Sequence, residues 1–513
     1  MPLFPVRRRS CRRSLRAALL AGGAVVTASL AATPARALER VELLLPLLDT
    51  SFSLNLAELA GDRSPMAGDS DLAQLDQALD GVISRKLREL FLQPLPVLNQ
   101  NLANQVAHSA LLDQALLAAS ALGQVQGLPA QTDPGTDLAL VVQRASAKGE
   151  LSLLALLQAI PGESVTVDLD RALALLRRLK SQQQLAAQLI NGSAPVAANP
   201  QQAAMGPRQP QRSTRSIAVP HRSEALELVV YSPSGAAAPQ AQQRQLVVIS
   251  HGLWDAPENF EGWARLLASH GYTVVLPRHP GSDASQQRAM LSGKVPPPSP
   301  EELTLRPKDV SAIADALATD GQLVVIGHSW GATTALQLAG ASPSANQLRE
   351  RCGLLDDPAR NLSWVLQCSF MSSADRSGLG DQRVIAVAAV SPPLNLLFDH
   401  GASRAMHART LLVSGSRDWV VPPDVEAIEP FGRSASAGHQ LLLVGGGDHF
   451  NLRAPASGNG GPLAPVMLAW VQAAFAAGPQ VRPAAGAPPL LPPSGWGNGA
   501  MPLVEVKPPA ASP

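Results

Sequence analysis

Short runs of mostly apolar residues recur through the second half of the chain, with segments of helical spacing between them. Runs of this kind are typical of strands that are buried on both faces of a sheet. They are Tyr272–Leu276, Leu323–Ile326, Val384–Val390, Leu411–Val413 and Gln440–Val444. Strands that alternate with helices predict an α/β fold, here a mostly parallel sheet with helices on both faces. Upstream, Ser216–Val219 and Leu226–Tyr231 predict an antiparallel opening to the same sheet.

Residues 38–190 show a different pattern, which predicts a smaller and mainly helical domain with some extended pieces. Apolar residues between Leu169 and Leu176 recur at helical spacing and predict a stripe that faces a core. Just before them, Val165 and Val167 alternate with polar residues and predict a short strand. This part of the sequence has no metal-ligand spacing, no glycine-rich phosphate loop and no charged cluster. A cap or docking domain is the default interpretation, and its function stays open.

Length and composition indicate how the remaining chain is divided. A chain of 513 residues is too long for one ordinary core. Residues 191–215 are rich in Gln, Pro, Ala and Ser and predict a linker, so the α/β domain spans 216–478. Residues 479–513 are rich in Pro, Ala and Gly and predict a disordered tail. The net charge of +1 provides no basic field for nucleic acid.

The N-terminus has the pattern of a targeting segment. Six arginines lie between Arg7 and Arg16, Leu19–Leu30 is mostly apolar, and Ala35–Ala37 offers small residues for a signal peptidase. We expect a signal peptide over 1–37, cleaved near Ala37, and export to the periplasm, the thylakoid lumen or the cell exterior. The apolar segment is short for a lasting transmembrane helix, although an uncleaved anchor is the alternative. Arg12-Arg13 matches a twin-arginine signal only loosely, so the export route stays open.

Cysteine usage is consistent with export. Of the three cysteines, Cys11 would leave with the signal peptide, so Cys352 and Cys368 remain. An even number of cysteines in an oxidising compartment permits a disulfide. The sequence leaves the pairing of these two undecided.

Ser329 lies at the centre of a G-x-S-x-G sequence, between Gly327 and Gly331. The apolar run Leu323–Ile326 precedes it and the helix-forming segment Ala332–Leu338 follows it. Strand, sharp turn and helix in this order form the setting of a nucleophile elbow, whose tight turn leaves room only for glycines two residues before and after the serine. Ser329 is therefore the candidate nucleophile.

A serine hydroxyl needs a base to take its proton and a carboxylate to orient that base. Downstream, the run Leu411–Val413 is followed by a loop that ends at Asp418, and Gln440–Val444 by a glycine-rich loop that ends at His449. This order predicts His449 as general base and Asp418 as its orienting partner. Three further carboxylates lie near predicted strand ends: Asp381, Asp399 and Asp448. Of these, Asp448 is expected to bond the backbone of its own turn.

Acyl transfer also requires hydrogen-bond donors for the developing oxyanion. One is expected from the backbone N–H after the nucleophile, that of Trp330. The other is expected from the loop after the early strand Gln245–Ser250, where we choose the N–H of Leu253. His251 in that loop precedes the elbow, so it is expected to brace the loop by hydrogen bonding. No metal or organic cofactor is implied.

Four segments of the chain resemble the α/β-hydrolase superfamily. They are "VVISHGLWDAPENFEGWARLLASHGYTVVLPRHPGS", "VVIGHSWGATTALQLAG", "LLVSGSRDWVVPP" and "LLLVGGGDHF", within residues 216–478. They look most like bacterial proteins known as predicted dienelactone hydrolases, which are related to platelet-activating-factor acetylhydrolases. The resemblance implies that Ser329, Asp418 and His449 form the triad. True dienelactone hydrolases have a cysteine where this chain has Ser329. The resemblance therefore implies an esterase or lipase of the acetylhydrolase kind.

The N-terminal part resembles a domain of unknown function that precedes such hydrolases in cyanobacterial proteins. The segments that carry this resemblance are "ALERVELLLPLLDTSFSLNLAELA" and "LSLLALLQAIPGESVTVDLDRALALLRRL". It implies a cyanobacterial source and supplies no activity for residues 38–190.

Together these patterns predict an exported serine hydrolase that cleaves carboxylic esters, with a small-molecule or lipid ester as substrate. Two alternatives stay open: a serine peptidase of the same fold, and a binding protein that kept the fold without catalysis. Acyl-chain length, head group, peripheral membrane contact and oligomeric state are not determined by the sequence.

Overall fold

The computed structural model describes most of the chain beyond the predicted signal peptide. The described residues are 38–45, 50–61, 63–92, 105, 109–120, 122–126, 141–145, 152–234, 245–317, 321–376, 378–433, 437–457, 460–478 and 482–506. The predicted signal peptide, 1–37, lies outside them. In the described part, no helix is both long enough and apolar enough to cross a membrane.

The secondary-structure elements fall into two groups along the chain. The N-terminal group is β1 (Arg40–Leu45), β2 (Thr50–Asn55), α1 (Leu56–Ala60), α2 (Asp71–Ala78), α3 (Val82–Phe91), α4 (Ala110–Ser120), β3 (Gly123–Gln126), α5 (Leu153–Ala159), β4 (Ser164–Asp168), α6 (Leu169–Ser181), α7 (Gln184–Asn191) and α8 (Pro200–Ala203). The second group is β5 (Pro210–Ile217), β6 (Leu226–Pro233), β7 (Gln245–Ser250), α9 (Glu261–Ser269), β8 (Thr273–Pro277), α10 (Ala284–Leu291), α11 (Glu302–Leu317), β9 (Gln322–His328), α12 (Trp330–Leu338), α13 (Asn346–Arg351), α14 (Ser363–Ser369), β10 (Val384–Val390), β11 (Arg409–Gly415), α15 (Glu429–Gly432), β12 (Gln440–Val444), α16 (Ala464–Ala477) and β13 (Leu503–Val506).

Within the described residues, nine strands form one sheet in the order β13-β12-β11-β10-β9-β7-β8-β6-β5. The strands from β12 to β8 in that order are parallel to one another, whereas β5, β6 and β13 pair antiparallel. Successive side chains of β7 face opposite sides: Leu246 and Val248 pack with α11 and α12, and Val247 and Ile249 with α9 and α16. Burial on both faces explains the uninterrupted apolar runs. The predicted α/β architecture is confirmed.

The carboxyl ends of the parallel strands meet at one edge of this sheet. Loops after β7, β9, β11 and β12 therefore come together there, although they are far apart in sequence. Such an edge is where open α/β sheets bind ligands.

Both outer boundaries of the predicted α/β domain are wrong. The predicted linker over 191–215 contains α8 and the start of β5, an edge strand that pairs with β6 along its whole length. Most side chains of β5 are exposed, so it has no apolar pattern that would distinguish it from a linker. The predicted disordered tail, 479–513, is ordered over residues 482–506, and its β13 pairs with β12. A few buried anchors hold this tail: Leu491, Trp496, Leu503 and Val504.

In its described residues the N-terminal part is mainly helical, as predicted, and its extended pieces form a four-stranded sheet in the order β2-β1-β4-β3. The predicted strand corresponds to β4, and Asp168 at its end caps α6 by accepting a hydrogen bond from the N–H of Arg171 (3.0 Å). The prediction that the leucines of α6 face a core is wrong, since Leu173 is 44% exposed and Leu176 is 62% exposed. Helical spacing located the helix but not the side that packs on the sheet.

Replacement of Trp496 by alanine tests whether the tail belongs to the fold. This indole is fully buried in the apolar core between the nine-stranded sheet and helices α9 and α16. Trp496→Ala should therefore lower the free energy of unfolding by about 3–5 kcal/mol, as measured by urea denaturation. Trp419→Ala, at a site that is 49% exposed, is the control and should change it by less than about 1 kcal/mol. An unchanged stability in Trp496→Ala would show that the tail is not part of the folded domain.

Candidate active site

Ser329 lies in a strained turn between β9 and α12. Its backbone has φ 53° and ψ −122°, a conformation that is unfavourable for any residue with a side chain. The turn exists because the backbones pass one another closely. A Cβ on Gly327 would overlap the carbonyl of Gly331, and a Cβ on Gly331 would overlap the carbonyl of Ser250. The N–H of Ser329 donates to the carbonyl of Val390 (2.9 Å), which ties the turn to β10.

Asp418 and His449 form a buried hydrogen-bonded pair. His449 Nδ1 lies 2.9 Å from Asp418 Oδ2. The other carboxylate oxygen accepts from the N–H groups of Val420 (3.0 Å) and Val421 (2.8 Å), so the carboxylate has one fixed orientation. Because Nδ1 donates a hydrogen bond to Asp418, Nε2 is the ring nitrogen left to accept a proton.

The three other carboxylates considered from the sequence are engaged elsewhere. Asp381 pairs with Arg383 (2.6 Å) before β10. Asp399 accepts from the side chain of Asn346 (3.1 Å). Asp448 accepts from the N–H groups of Phe450 and Asn451 in its own turn, as the sequence predicted.

His328 connects the elbow to the histidine loop. Its Nε2 donates to the carbonyl of His449 (2.8 Å), and the two imidazole rings are 4.9 Å apart. Burial lowers the pKa of His328 to about 3, so the ring is neutral. Its single proton lies on Nε2, the nitrogen that donates the hydrogen bond. The residue immediately before Ser329, the candidate nucleophile, therefore holds the backbone of the candidate base, a contact that the sequence pattern did not predict.

The loop after β7 lies against Ser329. A Cβ on Gly252 would come within 3.0 Å of the Cβ of Ser329. Among the described residues, the N–H of Leu253 and the N–H of Trp330 have no hydrogen-bond acceptor. In the described part of the chain both N–H groups expected from the sequence are therefore without an acceptor, and the loop that carries Leu253 adjoins Ser329.

His251 braces this loop. Its Nδ1 donates to the carbonyl of Gly252 (2.7 Å), and its Nε2 accepts from the N–H of His279 (3.2 Å). Each ring nitrogen has a single role, which fixes the neutral tautomer. Burial also lowers the pKa of His251 well below its usual value. Its expected bracing role agrees with these contacts.

A buried charge cluster lies behind the loop. Asp309 accepts from His279 Nδ1 (2.7 Å), from His221 Nε2 (2.8 Å) and from Arg222 through two nitrogens, each at 2.7 Å. Arg222 also donates to both carboxylate oxygens of Glu302 (2.7 and 3.0 Å). These contacts hold the pKa of Asp309 well below its usual value against the opposing effect of burial. The sequence offered no signal for this cluster, because its members come from three separate segments.

The N-terminal part supports the loop that carries Asp418. Gln183, in the turn between α6 and α7, donates to the carbonyl of Asp418 (3.1 Å). Asp424 accepts from the N–H groups of Leu185 (2.8 Å) and Ala186 (2.9 Å) and so caps α7 from the other side of the interface. The N–H of Asp424 in turn donates to the carbonyl of Gln182 (3.1 Å). This reciprocal contact positions the candidate acid loop against α7.

Cys352 and Cys368 form a disulfide, the pairing that the sequence left undecided. The bond joins the end of α13 to α14, a segment that packs against α4 of the N-terminal part. Closing a loop of this size stabilises a protein by about 3 kcal/mol through the entropy of the unfolded chain. In the described part of the chain, no group of three or more His, Cys, Asp or Glu side chains is arranged to hold a metal ion.

Gly331→Ala tests the close backbone contact at the elbow. The added Cβ would meet the carbonyl of Ser250, which is backbone and has little freedom to move, so we expect the free energy of unfolding to fall by about 3 kcal/mol or more. Gly353→Ala is the matched control, since nothing lies within 4 Å of a Cβ placed there. Equal urea midpoints for the two variants would contradict the packing described for the elbow.

Buried histidines make the stability of the protein depend on pH. Burial lowers the pKa from 6.5 to about 4 in His279, to about 3 in His328 and to about 4 in His439. Below pH 6.5 the unfolded chain binds protons that the folded chain does not, so stability falls as pH decreases from 6.5 towards 4. Each histidine contributes about 1.3 kcal/mol per pH unit near pH 5.

Urea denaturation between pH 5 and pH 7 measures this loss. His439→Gln should reduce the slope of stability against pH by the share of one histidine, whereas the exposed His400→Gln serves as control. Two buried carboxylates with raised pKa, Asp283 and Asp424, act in the opposite sense but nearer pH 4. A stability that is constant from pH 7 to pH 5 would contradict neutral burial of these rings.

Comparison with known proteins identifies the family. A model of the alpha/beta hydrolase family matches residues 246–505, half of the chain. A solved structure that is similar to this chain is that of a Klebsiella pneumoniae protein provisionally named a dienelactone hydrolase. It has 17% sequence identity and a TM-score of 0.34 over 52% of this chain and 99% of that one. No curated protein matches the sequence. The chain belongs to the alpha/beta hydrolase family.

Proposed function

We propose that this hydrolase cleaves carboxylic esters, with Ser329 as nucleophile, His449 as general base and Asp418 as the residue that orients the imidazole. The observation that carries the proposal is the buried hydrogen bond between His449 Nδ1 and Asp418 Oδ2 (2.9 Å), on loops that follow two strands of the same sheet as the strained Ser329. His328, the residue before Ser329, connects the elbow to the loop of His449 through its hydrogen bond to the carbonyl of His449.

In the proposed reaction, Ser329 Oγ attacks the ester carbonyl while His449 Nε2 takes the hydroxyl proton. The carbonyl π electrons move to oxygen, and this oxyanion accepts from the N–H groups of Leu253 and Trp330. The intermediate collapses by expelling the alkoxide, which takes the proton from His449 and leaves an acyl-enzyme. Water then attacks the acyl carbon while the same nitrogen takes its proton. The second tetrahedral intermediate collapses by expelling Ser329 Oγ, which takes that proton back from His449, and the acid is released. The carboxylate of Asp418 stabilises the imidazolium.

Apolar side chains beside the catalytic candidates favour an ester with an apolar part. Trp419 and Phe450 directly follow Asp418 and His449 in sequence and are 49% and 50% exposed. Large apolar side chains that stay half exposed at a catalytic edge are suited to contact an acyl chain.

Export is also part of the proposal. Disulfides persist in oxidising compartments, and Cys352 and Cys368 are joined. The arginine-rich and apolar N-terminal segment described from the sequence gives a route to such a compartment.

Hydrolysis of p-nitrophenyl esters from acetyl to palmitoyl tests the function. Ser329→Ala should lower kcat/KM by about 1,000-fold or more, because it removes the attacking oxygen. Ser391→Ala is the matched control, since Ser391 also has a positive φ at the end of a neighbouring strand, and it should keep the rate within about threefold.

The chain length at which kcat/KM is greatest would separate an acetylhydrolase from a lipase. A folded wild type that cleaves no ester in this series would refute the general esterase proposal. Cleavage of peptide substrates instead would favour the peptidase alternative, and the absence of both activities would favour a binding protein.

A further inference from the structure

Arg306 is a fully buried cation in α11. Its hydrogen bonds go to Ser282 and to the loop after β7, here called the oxyanion loop (residues 251–254). Nη1 donates to the carbonyl of His251 (2.7 Å) and Nη2 to the carbonyl of Gly252 (3.2 Å). Nε donates to the hydroxyl of Ser282 (2.9 Å), and Nη2 also lies 3.4 Å from the carbonyl of Ser282. None of the ion pairs formed by the described residues includes Arg306. Burying a charge is costly, so its placement against two backbone carbonyls calls for a functional explanation.

The peptide between Gly252 and Leu253 shows what this contact does. In a trans peptide the carbonyl of one residue and the N–H of the next point in opposite directions. Arg306 and His251 Nδ1 both donate to the carbonyl of Gly252, so that carbonyl is fixed on the side of the buried cation. The N–H of Leu253 is therefore held on the other side, where it has no acceptor among the described residues.

Arg306 also contacts the residue that provides the second donor. Its guanidinium carbon lies 4.3 Å from the centroid of the Trp330 ring, which is fully buried and packs against Phe370 (4.7 Å). One side chain thus touches both halves of the oxyanion site, the loop through its carbonyls and Trp330 through its ring. Stacking of arginine on an aromatic face is favourable in a dry interior.

The surroundings of α11 keep Arg306 in place and charged. Glu302 and Asp309 are four residues before and three residues after Arg306, so they share its side of the helix, and Arg222 binds both carboxylates. Burial lowers the pKa of Arg306 to about 9, while Glu302, Asp309 and Asp283 favour its charged form. The cation faces the carbonyl of the Gly252–Leu253 peptide, whose N–H is the expected oxyanion donor. That alignment polarises the N–H of Leu253.

We propose that Arg306 is the positioning residue of the oxyanion hole, which holds the His251–Gly252 carbonyls so that the N–H of Leu253 faces the substrate oxygen. The proposal rests on the ester-cleaving function proposed above. Arg306 itself does not touch the reacting atoms and acts through the backbone of the loop and through Trp330.

Comparison of Arg306→Lys with Arg360→Lys tests this proposal. Arg360 is a matched control because it is buried, donates to the carbonyls of Cys352 (2.9 Å) and Leu354 (3.5 Å), and lies over the ring of Trp364 (5.5 Å), all away from the oxyanion loop. Lysine keeps the charge but cannot hold two carbonyls with a planar fork. We expect Arg306→Lys to lower kcat by about 10–100-fold with KM within about threefold, and Arg360→Lys to change neither by more than about threefold.

A boronic acid, which forms a tetrahedral adduct with a catalytic serine, gives a readout that loss of folded protein would not move. Its inhibition constant should rise in Arg306→Lys by about the factor by which kcat/KM falls. An unchanged kcat and inhibition constant in folded Arg306→Lys, or an equal loss in Arg360→Lys, would overturn the proposal. If Arg306→Lys does not fold, a crystal structure of the wild-type adduct decides instead. An oxyanion bound to the N–H of Leu253, with the Gly252 carbonyl on Arg306, supports the proposal, and an oxyanion bound to other donors refutes it.

Failure of the ester-cleaving function would be recognised separately, as a folded wild type that neither cleaves esters nor forms the adduct. Crystal structures of the wild type and of Arg306→Lys would then still test whether Arg306 holds the carbonyl of Gly252 in place. A Gly252 carbonyl that turns away in the variant supports the positioning role, whereas an unchanged direction overturns it.

Discussion

The close approach of two backbones at Gly331 and Ser250 is the constraint on which the candidate active site depends. Gly331 has no room for a Cβ, which would overlap the carbonyl of Ser250, and the elbow glycine Gly327 is packed as closely against the carbonyl of Gly331. Because β7 and β9 are neighbours in the sheet, this contact places the end of one strand directly against the turn after the other. Ser329 and the loop that carries the N–H of Leu253, which has no acceptor among the described residues, are therefore adjacent because of the strand order and the close packing at glycine.

Polar interactions then fix the groups that the sheet brings together. Each loop at the carboxyl edge is held by backbone-directed contacts: Asp418 by two N–H groups, His449 by His328, and the oxyanion loop by His251. Carbonyls and N–H groups serve as partners because their directions are set by the strands and helices. Side chains positioned in this way lose little freedom when substrate binds, which is the physical basis of preorganisation.

The N-terminal part contributes to this arrangement through its contact with the acid loop. Gln183 bonds the backbone of Asp418, and Asp424 caps α7 across the same interface. Helix α4 packs against the segment closed by the disulfide. A domain with no catalytic pattern of its own can therefore matter for catalysis, since it supports the loops around the site.

The sequence by itself determined the elements whose signals are local. Apolar runs gave the parallel strands, the glycines around Ser329 gave the elbow, and chain order gave Asp418 and His449, which the structure brings into contact. Local pattern failed where packing is not recorded in neighbouring residues. Edge strand β5 has exposed side chains, the tail is held by a few anchors such as Trp496, and α6 packs through a side other than the one its leucines suggested.

Only the tertiary structure decided which distant groups meet. No local pattern marks Arg222, Arg306 or Asp309 in the sequence. The pairing of Arg222 with Asp309 and the contact of Arg306 with the oxyanion loop form only when α11 packs beside β7. The same holds for the disulfide and for Gln183, whose partners lie in other segments. Periodicity and motif spacing describe the backbone near a residue, whereas charge pairing and hydrogen bonding depend on directions in space that arise only when the sheet has assembled.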